Sequence, residues 1–246
     1  MLLNHVVDGS GPPVLLLHAG IADLRMWAPQ RPALAAEHIV VACDLRGYGE
    51  TPLPPEPYAD AHDVLLLLDH LGIDELALVG SSYGGYVATQ LAANVPDRIS
   101  RLVLLCAASD AVAPTDDVRA FAGQEDALLE VGDVEAATDL NVRTWLGPEA
   151  DDAAVELVRT MQRRAFEVQL AAGEVESQAL PTDLTQITAK TLVVSGAHDL
   201  ERFGQIARHL SDGIADARHI ELAWAGHLPS LERPDETTEL ILGALD

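Results

Sequence analysis

The chain has 246 residues, 48% of them apolar and 4% aromatic, which suits one α/β core built mainly from Ala, Leu and Val. Its 39 acidic and 15 basic residues give a formal charge of −24, which repels phosphate backbones and anionic membrane surfaces and argues against nucleic-acid and membrane partners. No apolar run reaches the roughly 18 to 20 residues of a membrane span, and the first residues lack the basic and apolar segments of a leader peptide, so a cytoplasmic location is the expectation.

In chain order, the short run LLNHVVDG precedes the first core strand expected, PPVLLLH at 12–18. A helix is expected near 27–36 and a strand, HIVVACD, at 38–44. The proline-rich TPLPPEPY at 51–58 reads as a rigid surface connection to a helix over 59–71. The strand ELALVGS at 75–81 runs into a helix over 83–94 that Pro96 closes, and the strand RLVLLCA follows at 101–107. After a long interval come the strand KTLVVSG at 190–196, a helix near 203–210, the strand RHIELAW at 218–224, and a helix over 235–245 behind Pro234. The apolar runs are continuous rather than alternating, as in strands buried on both faces. The fold class that follows is α/β, a mostly parallel central sheet covered by helices on both faces.

The rhythm breaks between 108 and 187, where the sequence turns acidic and helical and offers no strand. That interval is too long for one crossover helix or a bare loop, so it reads as a helical cap over the carboxyl edge of the sheet, where open parallel sheets bind ligands. The expected division is a core of 1–107 and 188–246 and a cap of 108–187. Cys43 and Cys106 are too few for a disulfide framework and read as small core residues.

Where the strand at 75–81 becomes a helix, the sequence LVGSSYGG contains a G-x-S-x-G pattern centred on Ser82. Small residues at such a junction allow a packing turn, or a strained turn that pushes the serine hydroxyl into a pocket. A serine nucleophile needs a base, and the base needs an acid to orient it. Asp199 lies just beyond the strand LVVSG, and His227 lies beyond the last strand in LAWAGHLPSLERPDE. Alone, Asp199 reads as a cap for a helix starting near Glu201, and His227 as an ordinary loop histidine. Ser82, Asp199 and His227, in that order on three strand ends, point to nucleophilic catalysis.

These residues make the chain similar to the α/β-hydrolase fold superfamily, in its compact, cap-bearing branch of esterases, lactonases and carbon–carbon hydrolases. LLLHAGIADLRMW resembles the family's loop after the first core strand, and DLRGYGET its D-x-R-G-x-G-x-S/T turn. The resemblance implies an oxyanion hole from the backbone N–H groups of Gly20 and Tyr83. Ala19 replaces the usual glycine there, and Ile21 is the alternative donor. It further implies a Ser-His-Asp hydrolase acting on a small-molecule ester or lactone, as a monomer or homodimer. Carbon–carbon hydrolysis, perhydrolysis and a slow ligand-binding or regulatory role are the alternatives. A serine nucleophile argues against the dehalogenase branch, which uses a carboxylate.

His18 is expected to fix its loop by a hydrogen bond, and Arg46 to stabilise its own turn. The pocket is expected to draw on Ile21, Trp145, Met161, Phe166 and Leu228. Arg143, Arg159, Arg163 and Arg164 read as solvated or salt-bridged, with pairing to a substrate carboxylate as the alternative. No metal-ligand spacing, G-x-G-x-x-G or G-K-S/T loop occurs, so neither a metal nor another cofactor is expected.

Overall fold

A computed structural model describes residues 1–173 and 175–245. The chain opens with β1 (His5–Gly9) and β2 (Pro13–Leu17), a 3-10 turn at Leu24–Trp27, α1 (Arg31–Leu34), β3 (Ile39–Cys43) and α2 (Asp60–Leu71). Then come β4 (Leu76–Ser81), α3 (Tyr83–Asn94) and β5 (Ile99–Leu105), followed by three helices in succession, α4 (Asp116–Glu130), α5 (Val134–Trp145) and α6 (Asp152–Ala172). β6 (Lys190–Gly196), α7 (Glu201–Gly213), β7 (Ala217–Leu222), α8 (Pro229–Glu232) and α9 (Pro234–Leu245) complete it.

The strands form one seven-stranded sheet in the order β1-β3-β2-β4-β5-β6-β7. β1 runs antiparallel to β3 at one edge, and the other pairings are parallel. The central strands carry continuous Val and Leu because helices cover both faces: every residue of β4 and Val14–Leu17 of β2 are buried. The edge strand β1 is only partly buried, which is why its apolar content is thin.

The helix expected over 27–36 is instead a 3-10 turn and the four-residue α1. Pro29 and Pro32 cause the break, since each lacks an amide donor and each disfavours helical geometry in the residue before it. The connection at 51–58 is more than a surface spacer. Tyr58 N–H donates to Glu176 C=O at 3.1 Å and Tyr58 C=O accepts from Gln178 N–H at 2.7 Å, which pins the segment returning from α6.

α4, α5 and α6 lie between β5 and β6 in sequence, within the expected helical interval, and pack on one another. α4 reaches the core through α7, where Asp117 accepts the Glu201 N–H at 2.8 Å. Among the described residues no helix is long and apolar enough to cross a membrane.

Candidate active site

β4 delivers Ser82 to the carboxyl edge of the sheet, and α3 starts at the next residue. Ser82 has φ 49° and ψ −112°, a conformation that L residues rarely adopt and that the neighbouring strand enforces. Its N–H donates to Leu105 C=O at 2.9 Å and its C=O accepts from Ala108 N–H at 2.9 Å. The flanking glycines are set by close approach: a Cβ on Gly80 would lie 2.5 Å from the Gly84 carbonyl oxygen, and one on Gly84 would lie 2.3 Å from that of Leu17. Ser81 is fully buried and its hydroxyl has no partner, whereas the Ser82 hydroxyl meets His227.

His227 Nε2 lies 2.7 Å from Ser82 Oγ, and His227 Nδ1 lies 2.7 Å from Asp199 Oδ2. A carboxylate only accepts, so Nδ1 carries the proton and Nε2 is left to accept from the serine. Asp199 does not cap α7: its second oxygen takes the adjacent Leu200 N–H at 2.7 Å, and the Asp117 carboxylate caps that helix instead. The two side chains are nearly inaccessible, at 3% and 1% exposure, so their pairing is shielded from bulk water.

The histidine loop has a second carboxylate behind it. Glu232 accepts Gly226 N–H at 2.7 Å and Leu228 N–H at 3.0 Å, the amides on either side of His227. Burial raises the Glu232 carboxyl above its usual range, while those amides and the nearby His227 pull it back down. Glu232 thus holds the loop on both sides of His227, and sequence reasoning missed it. Its offset of one helical turn from the loop amides was the available signal.

Gly20 abuts Tyr83, for a Cβ at position 20 would lie 3.4 Å from the Tyr83 Cβ. His18 fixes that loop as expected: it donates from Nδ1 to Ala19 C=O at 2.8 Å and accepts Leu45 N–H on Nε2 at 2.9 Å. Arg46 is bound to Asp63 and the Met1 carbonyl, away from the serine.

A cavity of about 300 Å³ opens over Ser82. Gly20, Ile21, Ser82 and His227 line one end of it, and α4 to α7 supply much of the rest, including Phe121, Trp145, Phe166 and Phe203. Trp145 packs against His227, the two rings tilted with centroids 4.6 Å apart, and its carbonyl accepts the His227 N–H at 3.2 Å.

Of the expected pocket residues, Ile21, Trp145 and Phe166 line this cavity, and Met161 and Leu228 do not. Met161 is fully buried in the core, because the helical turn of α6 that puts Phe166 on the cavity brings the adjacent Gln162 there instead. Leu228 is fully buried where α8 begins, with its amide held by Glu232. Sequence reasoning missed Tyr48, Phe121, Glu125, Asn141, Gln162, Gln169 and Phe203, which also line the cavity. The four polar helix residues among them carry no sequence signal distinct from a solvated face.

None of Arg143, Arg159, Arg163 and Arg164 lines the cavity. Arg159 pairs with Asp139, Arg163 with Glu135, and Arg164 donates to Gly49 C=O, while Arg143 lines a separate surface hollow. Among the described residues, the ligand atoms of Cys106, Asp199 and His227 lie within 4.8 Å of one another, close enough for a metal ion. The carboxylate and imidazole of that group already bond each other, and burial pushes the Cys106 thiol far above its usual range.

A family profile for the alpha/beta hydrolase fold matches residues 12–131. RutD of Klebsiella pneumoniae (strain 342), which carries the name of a carbamate hydrolase, is 30% identical over 96% of this chain and 92% of its own. The 2-hydroxymuconate semialdehyde hydrolase of Pseudomonas sp. (strain CF600) is 26% identical over 95% of this chain and 87% of its own. Among solved structures, the enol-lactonase from Burkholderia xenovorans LB400 superposes with a TM-score of 0.82 at 29% identity, covering 99% of this chain and 96% of that one. Sheet order, serine turn and sequence similarity over nearly the whole length agree: the chain belongs to the alpha/beta hydrolase fold family, whose relatives named here are hydrolases.

Proposed function

We propose that this hydrolase-family chain cleaves a carboxylic ester or lactone through an acyl-enzyme on Ser82. The observation that carries this reading is the hydrogen-bonded path from Ser82 through His227 to Asp199 at that end of the cavity. His227 takes the serine proton as Ser82 Oγ attacks the carbonyl carbon, and Asp199 stabilises the resulting imidazolium. The Gly20 and Tyr83 amides hold the developing oxyanion, with the Ile21 amide as the alternative to Gly20. One such donor contributes about 3 to 4 kcal/mol to the transition state in comparable sites. His227 then gives its proton to the departing alkoxide, and water, deprotonated by the same imidazole, releases the acid and restores Ser82. Similarity to an enol-lactonase supports the lactone form of this reading.

The test is hydrolysis of a chain-length series of p-nitrophenyl esters and of simple lactones by wild type, Ser82→Ala and Ser81→Ala. Ser82→Ala is expected to lose about 10⁴-fold or more in kcat with an unchanged circular dichroism spectrum. Ser81→Ala is expected to retain turnover, since its hydroxyl is buried without a partner. Wild-type turnover in Ser82→Ala would remove Ser82 from the role of nucleophile.

A further inference from the structure

The cavity wall next to Gly20 carries a hydroxyl with no role in the path from Ser82 to Asp199. Tyr48 lines the cavity together with Gly20 and Ser82. A Cβ on Gly20 would lie 3.5 Å from Tyr48 Oη and 3.4 Å from Tyr83 Cβ, so the hydroxyl stands beside Gly20 on the side that faces Tyr83. An amide nitrogen is about 2.5 Å from the Cβ of its own residue, which puts the hydroxyl at most about 6 Å from the Gly20 nitrogen. One oxygen that accepts from two donors at ordinary lengths spans nearly that distance.

The turn holds this side chain rigidly. Gly47 and Gly49, at φ 84° and 52°, flank Tyr48 in left-handed backbone. Tyr48 donates its N–H to Leu45 C=O at 3.2 Å, and its own C=O accepts Thr51 N–H at 2.9 Å. Its ring stands edge-on to the buried His18, with centroids 5.0 Å apart, and His18 bonds the Ala19 carbonyl one residue before Gly20. Ring and oxyanion loop are therefore fixed to each other. Burial, with Asp60 nearby, raises the Tyr48 phenol above its ordinary pKa, so it stays protonated and can donate. The Gln169 side chain pulls the other way, as an N–H given to the phenolic oxygen does, while its Nε2 also donates to Gly47 C=O at 3.2 Å. Among the described residues no acceptor takes the Tyr48 proton, which is left to the cavity.

We propose that the Tyr48 hydroxyl is a third donor to the oxyanion, beside the Gly20 and Tyr83 amides. This rests on the Ser82 reading above and deepens it. As Ser82 Oγ bonds the carbonyl carbon, the C=O π pair moves onto oxygen, and Tyr48 O–H hydrogen-bonds that oxygen while keeping its proton. When the tetrahedral adduct collapses, the pair returns, the bond to the leaving oxygen breaks, and that oxygen takes its proton from His227. The full negative charge exists only in the adduct, so loss of the hydroxyl lowers the rate more than it lowers substrate binding.

The experiment uses Tyr48→Phe, which keeps the ring and its edge contact with His18, alongside wild type and Ser82→Ala. It reads kcat/KM for p-nitrophenyl esters and simple lactones, and Ki for an alkyl trifluoromethyl ketone, which adds to a serine as a tetrahedral alkoxide. Calorimetry reads binding of the same substrates to Ser82→Ala and to the Ser82→Ala, Tyr48→Phe double variant. With an unchanged circular dichroism spectrum, Tyr48→Phe is expected to lose about 10²-fold in kcat/KM and to raise Ki by a similar factor, while substrate binding changes by less than about twofold. Ser82-dependent turnover that Tyr48→Phe leaves within about threefold of wild type would overturn the third donor and leave the hydrolase standing. A rate loss matched by an equal loss of binding would overturn it too, by placing the hydroxyl in ground-state recognition. Absence of both Ser82-dependent turnover and a ketone adduct would overturn the hydrolase reading and the third donor with it.

Discussion

A buried imidazole at the end of β2 holds the loop that carries Gly20. His18 is fully buried, with one ring nitrogen donating to Ala19 C=O and the other accepting from Leu45 N–H, so it fits only as a neutral ring. Burial lowers its pKa from the ordinary histidine value, against the backbone bond to Ala19 and the pull of Asp44, Asp23 and Asp60. A group whose folded pKa is depressed contributes stability that is present above the unfolded pKa and lost as pH falls toward the folded one. The window therefore opens below about pH 6.5. Replacing His18 with Gln is expected to lower the unfolding free energy at pH 7.5 by roughly 1 to 3 kcal/mol, through loss of buried hydrogen bonds. Below pH 6.5 the gap between wild type and variant should narrow, by up to about 1.4 kcal/mol per pH unit. Urea denaturation at pH 7.5, 6.5 and 5.5 reads that gap, and a gap independent of pH would mean that His18 does not set this dependence.

At the scale of elements, Trp145 joins the helical insertion to α7 and to the loop that carries His227. Its ring contacts those of Phe121, Phe203 and His227, and its indole N–H bonds Asn141 on the same helix. Trp145→Ala removes about 3 to 5 kcal/mol of packing, and the loss should fall mainly on α4 and α5. Amide hydrogen exchange is expected to speed up there, with β4 and β5 still protected, and kcat/KM to drop about tenfold or more as the His227 loop loses its support. Trp145→Phe keeps a ring and should retain much of both. Equal loss of protection in every element would show instead that insertion and sheet unfold as one cooperative unit. The same contrast explains what the sequence disclosed. β2, β4 and β5 are legible because strands buried on both faces must be apolar throughout, and the turn at Ser82 because its glycines are demanded by contacts with the neighbouring backbone. Asp199 and His227 are legible because they follow strands that are themselves legible. The cavity wall is not. Gln162 and Met161 are neighbours on one helix, and only the rotation of α6 against the sheet decides which faces the cavity, a property of tertiary packing that local periodicity does not encode.

Over the whole molecule, the excess of acidic over basic residues, 39 against 15, sets how stability responds to salt. Several arginines are already committed to carboxylates, among them Arg31 with Asp8, Arg46 with Asp63 and Arg98 with Asp69. These pairs leave most of the negative charge uncompensated. A folded chain of this length has a radius of gyration of about 18 Å. At about 10 mM salt the Debye length is near 30 Å, so carboxylates across the molecule repel one another, and at about 1 M it is near 3 Å and the repulsion is confined to neighbours. Exposed ion pairs weaken over the same range, but each contributes only about 0 to 1 kcal/mol, so the relief of repulsion should dominate. The melting temperature is therefore expected to rise by several degrees between 10 mM and 1 M NaCl, with sodium chloride chosen because sulfate would strengthen apolar burial as well. Differential scanning calorimetry across that series checks it, and a melting temperature that falls with NaCl would mean that the ion pairs outweigh the repulsion. The same field acts on encounter with substrate: kcat/KM for an ester bearing an ammonium group should fall as salt rises, while that of its uncharged counterpart stays nearly flat.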